Sequence, residues 1–167
     1  MEGQIKDLEY LTIVNNILNN DEFKKLKGIE HHGMTRYDHS IRVSYYSYKV
    51  SKALHLNYIE TARGGLLHDF FISKEDRTSF EKFSSTFTHP KLALETAKAN
   101  FDITKREADM IRSHMFPINI SIPKYAESWI VSFIDKLVAT SEFSVKVEFK
   151  MKYAYNVMLI FLFTFMR

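Results

Sequence analysis

The chain has 167 residues, 46% of them hydrophobic, with no cysteine and a formal net charge of +3. This length suits one domain, and the lack of cysteine excludes disulfides, thiolate nucleophiles and cysteine-bound zinc. The small net charge, without a basic run, does not favour nucleic-acid binding. Only 5 Gly and 3 Pro interrupt a sequence with 14 Phe and 9 Tyr. We therefore predict an all-α fold, a single-domain bundle of about six to eight helices.

The first two helices are predicted from the spacing of apolar residues. Residues 6–19 carry apolar side chains near the helical period and predict the first helix, which a short charged segment, 22–30, follows. A loop is predicted at 31–33. The second helix is predicted from 35–38 to about residue 55, with four apolar residues spaced for one buried face: Val43, Tyr46, Val50 and Leu54.

The third predicted helix ends in a pair of metal-competent side chains. It begins at Asn57, because Glu60 follows three residues later in the pattern of a capping box, and it runs to about Phe70. Its last residues are Gly64-Gly65-Leu66-Leu67-His68-Asp69. Helical side chains lean over the preceding turn, so the glycines have two interpretations. They leave room for an ion or a substrate beside the His-Asp pair, or they let another helix pack closely.

A long loop is predicted over residues 71–88, with a length typical of lids and binding loops. His89-Pro90 would then open the fourth helix, because proline is favoured at the first helical position. That helix is predicted to end near Phe101.

The remaining sequence predicts two further helices and an apolar tail. Thr104 and Glu107 form a capping box at the start of the fifth helix, and the sixth covers 125–142. Within the tail, 143–167, the apolar run Val157–Met166 is too short to span a bilayer, which takes about 20 residues. We interpret it as a terminal helix packed on the core or on another subunit; the alternative is an interfacial membrane anchor.

Six residues are candidate metal ligands. Four histidines are predicted at or near helix ends, where helices of a bundle can build a common site. Asp135 lies among apolar residues, where burying a carboxylate is costly unless it is paired or bound to a metal; the alternative is a salt bridge or simple exposure. Nitrogen and oxygen donors without thiolate suit Fe, Mn, Co, Ni or Zn more than Mg or Ca. The candidates are His39, His68, Asp69, His89, His114 and Asp135.

The order His39, then His68-Asp69, then Asp135 resembles the HD-domain superfamily of metal-dependent phosphohydrolases, which is named after the doublet. The similarity extends around each member, through the segments 35–43, 65–69 and 134–136, and covers about residues 35–140. The resemblance implies a helical fold and a metal-bound water or hydroxide that attacks phosphorus. It also implies a small phosphorylated substrate, such as a nucleotide, with a phosphoester or phosphoanhydride bond.

His89 and His114 resemble the two histidines that hold a second metal in some branches of the superfamily. The order and spacing of the six residues are similar to those of bacterial symmetric diadenosine-tetraphosphate hydrolases. This resemblance implies two divalent ions, iron or manganese ahead of cobalt, nickel or zinc, bridged by Asp69. His39, His68 and Asp135 would bind one ion, and His89 and His114 the other. The alternatives are a degenerate HD-domain protein that binds a nucleotide or a partner without turnover, and a diiron oxygenase.

The chain also departs from some branches of the superfamily. No acidic pair follows the doublet, as it does in the alarmone hydrolases. Ile72 stands where the cyclic-di-GMP phosphodiesterases have a lysine, and their Gly-Tyr-Pro signature is missing. Both of those activities are therefore disfavoured.

Four basic residues near the candidate ligands suit phosphate oxygens: Arg36, Arg42, Lys74 and Arg112. Asp69 and Arg42 are the predicted catalytic residues.

The polar N-terminus predicts no signal peptide and, with no transmembrane segment, a cytoplasmic protein. We expect an N-terminal helical segment, 1–30, packed on an HD-type core, 31–142. The tail 143–167 would belong to the same domain or form a contact in a homodimer.

Overall fold

The computed structural model describes residues 5–31, 34–72 and 79–141; Lys74 and the predicted tail 143–167 lie outside this part of the chain. Within these ranges the fold is all-α, which confirms the predicted class and helix count. None of the described helices is long and apolar enough to cross a membrane. The seven helices are α1 (Leu8–Leu18), α2 (Asp21–Lys24), α3 (Arg36–Ala53), α4 (Tyr58–Leu67), α5 (Ser79–Asn100), α6 (Lys105–Ser113) and α7 (126–141).

Polar side chains cap the helices at the predicted starts. Thr35 accepts a hydrogen bond from the backbone N–H of Asp38 at the start of α3. Asn57 does the same for Glu60 at α4. At α6 the capping box is complete, because Thr104 accepts from the Glu107 N–H and the Glu107 carboxylate accepts from the Thr104 N–H. Such caps satisfy backbone donors that have no partner inside the helix.

The segment 22–30 contains more structure than its charged sequence predicted. It holds α2 and a 3-10 turn, Lys25–Gly28. The strand β1 (Glu30–His31) then pairs antiparallel with β2 (Met34–Thr35), where a loop was predicted. The Arg36 N–H donates to the Ile29 carbonyl at 2.8 Å. This small hairpin therefore fixes the point at which α3 begins.

The buried face of α3 differs from the predicted one. Of the four apolar residues expected there, Val43 is buried, but Tyr46 and Leu54 are 48% and 58% exposed. Small side chains occupy part of the buried face instead, and at Ser44 the backbone of α4 comes especially close. The four serines on α3 are all fully buried: Ser40, Ser44, Ser47 and Ser51.

The two glycines of α4 serve this close packing and do not clear space for an ion. A Cβ on Gly65 would lie 3.1 Å from the Cα of Ser44, and one on Gly64 would lie 2.7 Å from the Met110 sulfur. A hydrogen-bonded chain also crosses the contact. The Tyr10 hydroxyl donates to Ser44 Oγ at 2.9 Å, and Ser44 Oγ donates to the Ala62 carbonyl at 2.6 Å. The chain thus joins α1, α3 and α4.

Helix α5 corrects two predictions. It begins at Ser79, so the loop predicted over 71–88 is too long, and Pro90 lies inside the helix and does not open it. Proline removes one intrahelical hydrogen bond, but the other residues of a 22-residue helix can still form theirs. Phe80, Phe83 and Phe87 have a helical spacing, a signal that the proline obscured. Consequently His89 belongs to the interior of a helix.

Two apolar clusters fix the relative positions of the helices. The larger includes Tyr10, Val14 and Ile17 of α1 and Leu66 of α4. The smaller joins α3, α6 and α7, and its buried members are Val43, Met110, Val131 and Val138. Because α3 and α7 carry two candidate ligands and α6 leads directly to a third, the smaller cluster sets the frame of the candidate site.

Candidate metal centre

All six predicted metal ligands meet in one buried cluster. They come from the first turn of α3, the two residues after α4, the interior of α5, the residue after α6 and the middle of α7. None is more than 9% exposed. Their ligand atoms form three overlapping groups, each within 4.8 Å: His39–His68–Asp69, His68–His114–Asp135 and Asp69–His89–His114.

We call His39, His68 and Asp135 the inner half-site. Asp135 Oδ1 lies 3.0 Å from His39 Nε2 and 3.5 Å from His68 Nε2. Although burial raises the pKa of Asp135, the neighbouring imidazoles of His39 and His68 outweigh it and hold that pKa well below its usual range. The inner half-site therefore presents an ionised carboxylate between two imidazoles.

We call His89 and His114 the outer half-site. Their Nε2 atoms are 3.0 Å apart. Asp69 Oδ1 lies 3.3 Å from His89 Nε2 and 3.6 Å from His114 Nε2. Asp69 also belongs to a group with His39 and His68. The carboxylate of Asp69 is therefore placed between the two half-sites.

The tautomers of two histidines follow from their backbone contacts. His68 Nδ1 is 2.8 Å from the Gly65 carbonyl, and His114 Nδ1 is 2.8 Å from the Ile111 carbonyl. A carbonyl only accepts, so each Nδ1 carries the proton and donates it. In a neutral imidazole, Nε2 then has a free lone pair. Burial and the adjacent His68 lower the pKa of His114 to about 3, which keeps His114 neutral near pH 7.

A divalent cation fits this arrangement of atoms. Two imidazole lone pairs and two carboxylates converge on a small buried volume, and such groups repel one another without a positive charge between them. His68 Nε2 is buried and makes no hydrogen bond within the described residues. Histidines that bind metals commonly donate the other ring N–H to a carbonyl, as His68 and His114 do. The mixed nitrogen and oxygen donors suit a transition metal.

Arg36 supports Asp69 from beside the cluster. Its Nη1 donates to the Phe71 carbonyl at 2.7 Å, and its guanidinium lies 3.9 Å from the centre of the Phe71 ring. Arg36 Nε is 3.9 Å from Asp69 Oδ2. The Phe71 ring stacks on His89, with centroids 5.3 Å apart. Arg36 and Phe71 therefore link the bridging position of Asp69 to the outer half-site.

Of the other predicted substrate residues, two lie within the described part of the chain. Arg42 is half-buried on α3, one turn after His39, and Arg112 is exposed on α6. Lys74 lies outside the described residues. The roles of Arg36, Arg42, Lys74 and Arg112 in substrate binding stay predictions.

Two α7 residues support the outer half-site, and sequence reasoning missed their role. Ser132 Oγ donates to the His114 carbonyl at 2.7 Å, and Lys136 Nζ donates to the same oxygen at 2.8 Å. Burial lowers the pKa of Lys136, and the Asp135 charge opposes that effect. The sequence held a signal, because Ser132 and Lys136 are four residues apart and therefore share one side of α7.

Fold and site together define an all-α protein with a buried cluster of four histidines and two aspartates that suits a divalent metal. A model of the HD domain matches residues 36–140, more than half of the chain. The chain therefore belongs to the HD-domain family, which generally comprises metal-dependent phosphohydrolases. The match covers all six residues of the cluster. No curated protein and no solved structure matches the chain significantly.

Proposed function

We propose that this protein is a phosphohydrolase that uses two divalent transition-metal ions, with iron or manganese ahead of cobalt, nickel or zinc. Its substrate would be a nucleotide or another small phosphoester or phosphoanhydride. One observation carries the proposal: Asp69 lies within 4.8 Å of two ligand groups, one with His39 and His68 and one with His89 and His114. A single ion would leave one of these groups without a role.

The ligand roles follow from the two half-sites. His39, His68 and Asp135 would hold one ion, His89 and His114 the other, and Asp69 would bridge them. Such a pair supplies an activated water and neutralises charge that develops on the phosphoryl oxygens. The protein's part is to fix the imidazoles through their carbonyl contacts and to hold Asp69 against Arg36. Burial of all six ligands strengthens their charge interactions with the ions, because the surroundings have a low dielectric constant.

Arg42 is the proposed contact for a non-reacting phosphate group. It follows His39 by one turn of α3, so it shares the side of the helix that bears the ligand, and it is only half-buried. A guanidinium can bind two phosphate oxygens at once. Arg36 is buried and engaged with Phe71, so positioning Asp69 is the role that its contacts favour.

Metal content and phosphate release test the proposal together. The full chain is purified without added metal, its ions are counted by mass spectrometry, and phosphate release is measured over a panel of nucleotides that includes diadenosine tetraphosphate. We expect bound transition metal and turnover of at least one substrate. Asp69→Asn should lower turnover about 10³-fold, because it removes several kcal/mol of metal-dependent stabilisation.

Asp102→Asn is the matched control, since it makes the same change at an exposed position. It should leave both readouts unchanged. Wild-type activity in Asp69→Asn, or full activity without transition metal, would contradict the proposal. Tight nucleotide binding without turnover, in protein loaded with metal, would favour the degenerate HD-domain protein instead.

A further inference from the structure

Helix α7 has two opposite apolar faces. One face is buried and carries Val131, Val138 and the ligand Asp135. On the opposite side Trp129, Phe133 and Leu137 are 46%, 63% and 50% exposed. They recur every fourth residue, so they form one line along the helix. We call these three residues the α7 stripe.

The solvent side of α7 carries few charges. The residues beside the stripe include Ala126, Ile130, Ile134 and Thr140, and the charged neighbour is Lys136, which follows Phe133 by three residues. Lys136 is half-buried, and its Nζ donates to the carbonyl of His114 and to Ser132, so its charge is engaged on the ligand side of the helix. Glu127 and Asp135 are buried. An exposed apolar patch normally binds another surface, so the α7 stripe is a candidate docking surface.

The chain itself provides a suitable occupant. The segment 142–167 starts where the described part of α7 ends, and Thr164 is the one polar residue within Val157–Met166. From Trp129 to Leu137 the stripe is about 12 Å long at 1.5 Å per residue. A connection of a few residues suffices to reverse the direction of the chain after α7. The rest of the segment 142–167 is then long enough to cover the whole α7 stripe. Tethering also gives the segment a local concentration of about millimolar, which favours it over a separate partner.

We propose that the C-terminal segment 142–167 folds back on its own chain and packs the apolar run Val157–Met166 on the α7 stripe. Helix α7 then lies between the metal centre, which Asp135 faces, and the chain's own C-terminus. The proposal concerns the opposite side of α7 from the ligands, so it stands whether or not the protein is a hydrolase.

Trp129 is a built-in reporter, because it is the only tryptophan of the chain and belongs to the stripe. In the full chain we expect its emission at short wavelength and weak quenching by acrylamide. The variant Leu159→Asp with Leu162→Asp should move the emission to longer wavelength and increase the quenching, while helical circular dichroism persists. Thr164→Ser is the control and should change neither. Wild-type emission and quenching that already equal those of the double variant would overturn the proposal.

Cross-linking identifies the occupant, and the absence of native cysteine removes background. Phe133→Cys is combined in turn with Leu159→Cys, Leu162→Cys and Phe165→Cys, and each protein is treated with a bismaleimide. Adducts within one chain, at monomer mass, are expected. Leu8→Cys replaces Phe133→Cys in the control, because Leu8 is 78% exposed on α1, and it should give none.

Three outcomes overturn the proposal. Adducts only at dimer mass would mean that a second copy covers the stripe. No adduct above the Leu8 control would mean that the segment does not dock there. A change in Trp129 emission that needs phosphatidylcholine–phosphatidylglycerol vesicles would mean that the segment and the stripe bind a membrane surface.

Discussion

The inner and outer half-sites of the metal centre are held in place by different kinds of packing. The inner ligands His39 and His68 flank the contact in which Gly65 lets α4 approach the backbone of Ser44. The outer ligands rely on side chains: Ser132 and Lys136 hold the His114 carbonyl, and Phe71 stacks on His89. Backbone packing leaves the inner half-site little freedom, whereas single side-chain changes can disturb the outer one. If two ions bind as proposed, this difference predicts that they are lost separately.

The largest effect is expected from removing a ligand in each half-site. Asp135→Asn should abolish binding of the inner ion and lower turnover about 10³-fold, since several kcal/mol of stabilisation disappear. His89→Ala should remove only the outer ion, so the ion count falls from two to one while the inner ion stays. Metal analysis and phosphate release on the same samples measure both.

His55→Ala is the control for the histidine substitution, because His55 is exposed after α3. Loss of both ions in either variant would show that the half-sites do not act separately. A wild-type protein that binds one ion would remove the basis of the comparison.

Sequence reasoning predicted the inner half-site better than the outer one for a physical reason. Capping residues mark helix starts locally, so the contexts of His39 and His68 followed from Thr35 and Asn57. His89 was named a candidate ligand and lies in the cluster, but Pro90 beside it suggested a helix start that does not exist. A local signal was misleading there, because the length of α5 outweighs one lost hydrogen bond.

Contacts between helices could not be derived in the same way. The spacing of large apolar residues predicted the wrong buried face for α3, because the close approach of α4 favours serines there. The glycines before the doublet had two interpretations that only the distances to Ser44 and Met110 separate. Likewise, the hydrogen bonds from Ser132 and Lys136 to the His114 carbonyl depend on how α6 and α7 meet.

The second prediction concerns acid stability of the metal-free protein. The folded state keeps the pKa of His114 at about 3, below its usual 6.5. Between these values the unfolded chain binds the proton more readily, so stability is fully present above pH 6.5 and is lost as the pH falls toward 3. In this range the free energy of unfolding falls by up to about 1.4 kcal/mol for each pH unit of acidification. Urea unfolding in chelator at several pH values measures it.

His114→Gln should flatten that slope, because it removes the titrating group from the outer half-site. His55→Gln changes an exposed histidine and should leave the wild-type slope in place. A slope that persists in His114→Gln would assign the acid sensitivity to another group.

The third prediction tests the close packing beside the inner half-site with a matched pair of glycines. In Gly65→Ala the new methyl group meets the backbone of Ser44 at 3.1 Å, so the helices must separate; we expect a loss of about 1–3 kcal/mol in the free energy of unfolding. In Gly64→Ala the methyl group meets mainly the flexible Met110 side chain, and alanine's better helix propensity offsets about 1 kcal/mol of the cost.

Urea unfolding compares the two alanine variants, and metal titration follows the inner ion. Gly65→Ala should weaken binding of that ion, since α3 and α4 carry or adjoin its ligands, and Gly64→Ala should affect it less. If Gly64→Ala were the more harmful change, backbone contact would not be what holds the inner half-site.

The smallest effects are expected at the support of the outer half-site. Lys136→Met keeps the aliphatic part of the side chain but removes the donor to the His114 carbonyl, and should cost about 1.5 kcal/mol of stability. Ser132→Ala removes a neutral donor to the same oxygen and should cost about 1 kcal/mol. Both should lower affinity for the outer ion, by about tenfold, and spare the inner one. Lys91→Met, at a lysine whose side chain is 81% exposed, is the control.

Because Lys136 also donates to Ser132 Oγ at 3.0 Å, the double variant should lose less than the sum of the single losses. Strict additivity, or an equal loss of both ions, would mean that these two residues stabilise α7 in general and do not position His114.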